Sequence, residues 1–264
     1  MILVTGNQGF LGQALTKKLK EYLGFDVQDR FDITNREQLT KQMQDADAVV
    51  HLAGIVGESK CRQDVQKAFM VNSYGTLNVV QVADRLNIPK LVYASTCAVY
   101  GHRKNEIIDL QAYPSGVYTA SKILAEGIVK AHFYKNIRFG SLYGGKGKTD
   151  SLPEYFLDKL SHEKLTVRNP SDWRPLTHVE DAADAIIHAI RYWSDRTVNV
   201  VGENMTKGAL ATMINKKTRG KISFETTSQH RSYKVATHIN CLNKFDFKWT
   251  IERWLNEHSI METV

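Results

Sequence analysis

The chain has 264 residues, 42% hydrophobic and 24% charged, which suits one large domain or a nucleotide-binding half with a small added lobe. Its formal net charge is +7, but the basic residues are scattered in short runs such as Lys17-Lys18 and Lys216-Lys217; with no nucleic-acid motif, this reads as a solvated surface biased toward phosphorylated ligands. Cys61, Cys97 and Cys241 are odd in number and far apart, which excludes a disulfide framework and a zinc site, and no apolar run approaches the roughly 20 residues that span a bilayer.

The chain opens at Met1-Ile2-Leu3-Val4 in a buried-strand pattern with no charged leader, so the expected compartment is the cytosol. A helical pattern follows over residues 11–23, with Gly24 as its stop. Residues 25–28 read as a short strand. Thr34 is placed to cap a helix over 36–43, with Glu37 completing a capping box. Strands are expected at 48–52, 91–95 and 136–139, and helices at 66–86 and 118–132. Continuous apolar strands separated by helices predict an α/β fold, a doubly wound parallel sheet of Rossmann type.

Past residue 140 the pattern changes. Gly144-Gly145-Lys146-Gly147 reads as a flexible loop, residues 179–193 as a helix and 198–201 as a strand. The expected division is a nucleotide-binding domain of residues 1–140 and 177–201, with a small C-terminal substrate-binding lobe of 141–176 and 202–264.

The stretch Gly6-Asn7-Gln8-Gly9-Phe10-Leu11-Gly12 joins the first strand to the first helix. Gly6 permits a tight turn, Gly9 removes a Cβ where backbone must approach a pyrophosphate, and Gly12 lets helix and strand pack closely. The helix N-terminus then offers N–H groups and a positive dipole end to phosphates. The plain alternative is a βα turn without a ligand. An acidic residue near the end of the second strand would bond a ribose, and Asp29 is the candidate; Arg30 beside it would instead take a 2′-phosphate. The pair also reads as a turn with a surface ion pair, so the choice between NAD and NADP leans only to NAD. Tyr118 and Lys122 stand four residues apart, one turn on a helix face. An ammonium there would lower the phenol's pKa from about 10, fitting Tyr118 to move a proton. Alone, the pair reads better as an exposed helix pair. Arg174 is a candidate for phosphate, since a guanidinium fork suits phosphate oxygens; the alternative is a loop arginine paired with Asp172.

The Gly-x-x-Gly-x-x-Gly spacing resembles the extended branch of the short-chain dehydrogenase/reductase superfamily, the NAD-dependent epimerase/dehydratase family, over most of the chain. Other segments resemble it in family order. Asp32-Ile33 is similar to the pair beside the adenine, and Leu52-Ala53-Gly54 to the strand end beneath the cofactor. Asn72 heads an Asn-x-x-Gly-Thr segment in which it is mainly structural. The resemblance places Thr96 at the catalytic hydroxyl of a Ser-Thr-x-x-Val-Tyr-Gly segment and implies that Lys122 also holds the nicotinamide ribose. His51 itself reads as a core histidine.

After the catalytic threonine, the family's 4,6-dehydratases carry Asp-Glu; here stand Cys97-Ala98, which cannot eliminate water. The resemblance thus implies 4-epimerisation of a nucleotide sugar through a transient keto sugar, or alternatively reduction of a 4-keto sugar. A catalytically silent cofactor-binding sensor and an oxidoreductase of a non-sugar substrate remain as further readings. Cys97, Ser141 and Arg174 fall on substrate-side positions, with Ser141 replacing the usual Asn; His178 and Asp181 read as structural. The family's four-helix dimer would here use residues 66–86 and 118–132, so a homodimer is expected, with neither nucleic acid nor membrane as partner.

Overall fold

The computed structural model describes residues 1–103, 106–107, 110–145, 151–192, 196–236 and 245–261; Lys146, Gly147, Trp193 and Cys241 lie outside them. In chain order the strands are β1 (Ile2–Thr5), β2 (Tyr22–Phe25), β3 (Ala48–His51), β4 (Leu91–Thr96), β5 (Lys135–Phe139), β6 (Ser141–Tyr143), β7 (Lys164–Arg168), β8 (Trp173–His178), β9 (Thr197–Val200), β10 (Glu203–Thr206) and β11 (Lys221–Glu225). The helices are α1 (Phe10–Thr16), α2 (Arg36–Met43), α3 (Glu58–Gln63), α4 (Val65–Phe69), α5 (Thr76–Arg85), α6 (Val117–Ala131), α7 (Leu152–His162), α8 (Val179–Tyr192), α9 (Lys207–Thr218) and α10 (Ile251–Met261).

Six strands pair in parallel in the order β2-β1-β3-β4-β5-β9. Their apolar runs are buried on both faces, which is why they read as continuous rather than alternating. On one face Leu11 and Leu15 of α1 and the small residues Ala182, Ala183, Ala185 and Ala189 of α8 pack against Val4, Val50, Val92, Ile137 and Val198. On the other, Leu39 and Met43 of α2, Val79 and Ala83 of α5, and Ala125 and Val129 of α6 cover Leu3, Val49, Leu91 and Tyr93. Each buried Leu, Val, Ile or Met among them contributes about 1.5–3 kcal/mol of transfer free energy. This is the Rossmann-like, doubly wound α/β architecture.

The chain leaves β1 for β2 on one side and then crosses to β3 on the other. Strand order reverses between β1 and β3, and in such sheets the crevice at that switch point, beyond the carboxyl ends of the strands, is where ligands sit. The remaining elements form a three-stranded sheet, β10-β8-β6, and a two-stranded one, β11-β7. A separate core of Phe156, Leu160, Leu210, Ile214 and Trp254 joins them to α7, α9 and α10.

Two local expectations are corrected. The first helix ends at Thr16, and Tyr22–Phe25 form β2, paired from Ile2↔Tyr22 to Thr5↔Phe25. Gly24 is therefore within the strand and stops no helix; a Cβ there would meet the Asn7 side chain at 2.9 Å. Leu19 and Leu23 mimic a helical i,i+4 pair, but register with β1 decides the matter. The cap of α2 is Asn35, not Thr34: its Oδ1 accepts from the N–H groups of Glu37 and Gln38, while the Thr34 N–H and hydroxyl are drawn to Asp32 Oδ1. Within the long helical stretch, Met70–Gly75 widens to a π-helical turn, a feature frequent at functional sites.

Candidate active site

The glycine loop closes on the switch point. Gly6 has φ +72°, and a Cβ there would meet the Ala53 nitrogen at 2.7 Å; at Gly12 a Cβ would lie 2.2 Å from the Gly6 carbonyl oxygen. Gly9 precedes α1, whose N-terminus no side chain caps. Leu11 is core, and Phe10 is partly buried against the same cluster. Asn7 is buried beside Gly24, its Oδ1 without a hydrogen-bond partner.

Because β2 ends at Phe25, the acidic residue at its carboxyl end is Asp26. It is 7% exposed, and its carboxylate accepts the Gln8 N–H of the glycine loop at 3.1 Å and the Gln28 N–H at 3.1 Å. Asp29 and Arg30, the residues expected there, instead lie in the exposed turn that follows, with Arg30 at φ 65°. The sequence reading set the strand three residues too late and so missed Asp26. Asp32 is exposed and engaged with Thr34, whereas Ile33 is buried against Gly75.

Leu52, Ala53 and Gly54 follow β3 at its carboxyl end. The Ala53 N–H donates to Thr5 Oγ1, and Gly54 has no room for a Cβ against Asn72 Oδ1 at 2.9 Å. Asn72, on the π-helical turn, accepts from the Ile55 N–H at 2.7 Å and donates to the Ile55 carbonyl and to Ser121 Oγ. It ties the β3 loop to α6. His51 is fully buried, with Nδ1 2.7 Å from Thr5 Oγ1 and Nε2 2.9 Å from Thr76 Oγ1. Burial, aided by Lys122, drives its pKa down to about 3, so the ring is neutral.

Thr96 ends β4. Its hydroxyl oxygen accepts the Ala98 N–H at 3.1 Å, and its side chain draws the Tyr118 pKa down. Tyr118 is half-buried near the start of α6. One turn on, Lys122 is 5% exposed; its Nζ donates to the Ala94 carbonyl at 2.7 Å and sits 4.3 Å from the Tyr93 ring centroid. Burial outweighs the pull of Glu126 and lowers the Lys122 pKa to about 7. The expectation that Lys122 lowers the phenol's pKa is corrected. Burial, with a contribution from Cys61, pushes Tyr118 above its ordinary value against the pull of Thr96, and the ammonium is turned to Ala94 and Tyr93.

Glu58 was not singled out in the sequence, yet it fixes the start of the catalytic helix. Its Oε1 and Oε2 accept the N–H groups of Val117 and Tyr118 at 3.0 and 3.1 Å. Gly116 permits this, since a Cβ there would meet the Glu58 carboxyl at 2.3 Å. Farther along α6, Glu126 holds Arg138 of β5 in a buried, forked ion pair, with bonds of 2.9 Å from Nε and 2.6 Å from Nη2.

On the substrate side, Cys97 is corrected. It is fully buried, its thiol donates to the Arg138 carbonyl at 3.4 Å, and its side chain does not face the crevice. Ser141 opens β6 and is half-buried; it draws the Tyr233 pKa down. Arg174 is half-buried, donates to the Trp173 carbonyl at 2.9 Å and forms no ion pair among the described residues. Asp172 does not pair with it; that carboxylate is taken by Lys207 at 3.2 Å, His230 at 2.8 Å and the Arg231 N–H at 3.2 Å. Arg231 and Tyr233, in a polar segment without helix or strand periodicity, were missed. His178 stacks on Trp249 at 4.0 Å, and Asp181 accepts the Lys248 and Trp249 N–H groups, so both serve the structure.

The uncapped helix N-terminus, the glycines that admit no Cβ, the orphaned Asn7 oxygen and the small residues Ala53 and Gly54 after β3 all fit a dinucleotide. With the Tyr118 phenol on α6 and the Thr96 hydroxyl at the end of β4, they define a dinucleotide-dependent enzyme. The chain belongs to the NAD-dependent epimerase/dehydratase family, whose profile matches residues 2–227, and its cofactor is NAD. A putative UDP-glucose 4-epimerase of Methanocaldococcus jannaschii is 23% identical over 290 residues, covering 96% of this chain and 94% of its own. A GDP-6-deoxy-D-talose 4-dehydrogenase of Aggregatibacter actinomycetemcomitans is 27% identical over 217 residues, covering 75% and 73%. Among solved structures, MoeE5 in complex with UDP-glucuronic acid and NAD superposes with a TM-score of 0.85 at 18% identity, over 100% of this chain and 99% of that one. No helix among the described residues is long and apolar enough to cross a membrane.

Proposed function

We propose that the protein is a nucleotide-sugar 4-epimerase. The observation that carries this is the placing of Tyr118 and Lys122 on α6, with Lys122 bonded to the Ala94 carbonyl of β4, the strand that ends at Thr96 beside the β1/β3 crevice. In this reading Gly6, Asn7, Gln8, Gly9, Phe10, Leu11 and Gly12 cradle the pyrophosphate, and Asp26 takes the adenosine ribose. A carboxylate there disfavours a 2′-phosphate, which supports NAD over NADP. Ile33 with Asp32 borders the adenine, and Leu52, Ala53, Gly54 and Asn72 form the floor. Tyr118 takes the proton of the sugar C4 hydroxyl and returns it after the keto sugar has turned over. Thr96 holds that oxygen through both steps, and Lys122 bonds the nicotinamide ribose. NAD held by these residues would supply the acceptor and donor of the C4 hydride. Arg174 anchors the diphosphate.

The absence of an acid at residues 97 and 98 supports epimerisation over water elimination. A homodimer belongs to the same reading. Met70, Tyr74 and Leu124 are exposed on adjoining helices around an apolar groove of about 380 Å³, a face of the kind that marks association. The site of action in this reading is the cytosol.

The test is mass spectrometry of ligands that co-purify with the protein, followed by incubation with UDP-, GDP- and dTDP-sugars. Retained NAD and a C4 epimer formed without net cofactor turnover are the expected result. Stoichiometric NAD(P)H consumption on a 4-keto sugar would make it a reductase, loss of water a dehydratase, and no conversion a sensor.

A further inference from the structure

We propose that Tyr233 is a sugar-selecting residue: with Ser141 it walls the substrate crevice between the reacting end at Tyr118 and the phosphate end at Arg174. This rests on the nucleotide-sugar reading above.

Three observations converge on the position. The Tyr233 ring packs against the buried cluster of Cys97, Tyr100, Val201 and Val235, so it abuts the residue that follows Thr96. Ser141, at the start of β6, acts on its phenol and draws its pKa down. The Arg174 guanidinium lies 5.7 Å from its ring centroid. Electrostatics agrees. Burial pushes the Tyr233 pKa up to about 12 against the pull of Arg174, and Tyr233 in turn helps to raise that of Tyr118. One side chain thus neighbours the proton-moving phenol and the phosphate-seeking guanidinium, where the sugar must lie if both ends are engaged.

The backbone that presents it is held on two sides. The Tyr233 N–H donates to the Trp173 carbonyl at 3.3 Å, and Val235 and Asn204 exchange bonds of 3.0 and 2.8 Å. The Arg103 and Ile107 N–H groups reach the Ser232 and Lys234 carbonyls, each at 2.7 Å. The segment therefore joins the small sheet to the loop beyond Thr96. A tyrosine so held offers a rigid apolar face to sugar C–H groups and one hydroxyl at a set place. Ser141 is too short to line the crevice alone, and the pair makes up the reach.

The experiment compares wild type, Tyr233→Ala and Tyr233→Phe by calorimetric titration of the whole protein with UDP, UDP-glucose and UDP-glucuronic acid, each with NAD present. Tyr233→Ala is expected to weaken UDP-glucose binding about tenfold and leave UDP binding unchanged. Tyr233→Phe, which keeps the ring and spares the packing, is expected to lose about threefold. Equal loss of UDP and UDP-glucose affinity in Tyr233→Ala, or no loss in either variant, overturns the role of Tyr233 while leaving the nucleotide-sugar reading intact. Wild type that binds NAD but none of the three probes overturns both.

Discussion

Glu58 and Tyr118 stand sixty residues apart and meet at one bond, in which the Tyr118 backbone N–H donates to Glu58 Oε2 at 3.1 Å. The other oxygen takes the Val117 N–H, and Arg62 Nε donates to the same carboxylate at 2.7 Å. Burial pushes Glu58 up, but Arg62 and the two N–H groups outweigh it, leaving its pKa below the ordinary value. A charged carboxylate at the start of α3 thus caps the helix that carries Tyr118.

Removing that cap should separate structure from rate. Glu58→Ala strips two helix N–H groups of their acceptor, a loss of about 1–2 kcal/mol. It should also lower kcat about tenfold with KM little changed, because Tyr118 is set less accurately against Thr96. Thermal melts and steady-state kinetics check this, with Glu58→Gln, which keeps an acceptor oxygen, expected to recover much of both. Lowered stability with unchanged kcat would show that the cap is structural only.

Tyr118→Phe should reduce turnover by at least about 10² while NAD still binds, since the glycine loop is untouched. Cofactor fluorescence titration and product analysis read the two quantities separately.

The glycine loop makes a sharper claim. Gly12→Ala puts a methyl where a Cβ would be 2.2 Å from the Gly6 carbonyl oxygen, a backbone atom that cannot swing away. NAD affinity should fall at least about tenfold, and stability by about 1–3 kcal/mol. Retained affinity would show that α1 moves to accommodate the methyl.

Two buried bases set the pH dependence of stability. His51 takes a proton below about 6.5 when unfolded but only near 3 when folded, so its contribution is complete above pH 6.5 and drains away as pH falls toward 3. Lys122 is protonated below about 10.4 when unfolded but only below about 7 when folded. Between pH 7 and 10 the unfolded chain holds the extra proton, and stability rises with pH. Denaturant titrations from pH 4 to 10 should show both slopes. His51→Gln should flatten the acid one and Lys122→Met the alkaline one.

The Glu126–Arg138 pair is nearly out of solvent, at 8% and 5% side-chain exposure. Arg138→Ala leaves an unpaired buried carboxylate and should cost about 3–5 kcal/mol. Replacing both partners with methionine should cost clearly less than the sum of the single changes, as urea unfolding of the three variants would reveal.

The sequence by itself determined the parallel sheet, the glycine turn at Gly6–Gly12 and the spacing of Tyr118 and Lys122 by one helical turn, because hydrophobic period, glycine spacing and an i,i+4 pair are local signals; Thr96 came from the family resemblance. Of the elements it named, most lie within a residue or two of their observed bounds, whereas α3 and the strands and helices of the small lobe carried no signal strong enough to name. Only the tertiary structure decided what depends on distant partners. Strand pairing with β1 moved β2 to Tyr22–Phe25 and put Asp26, rather than Asp29, beside the glycine loop. Folding brought Glu58 under α6 and Tyr233 beside Arg174, contacts that span about sixty residues each. Burial turned Cys97 inward and reversed the expected shift at Tyr118. A pKa and a side chain's direction are set by what surrounds the group in space, and no spacing along the chain encodes that.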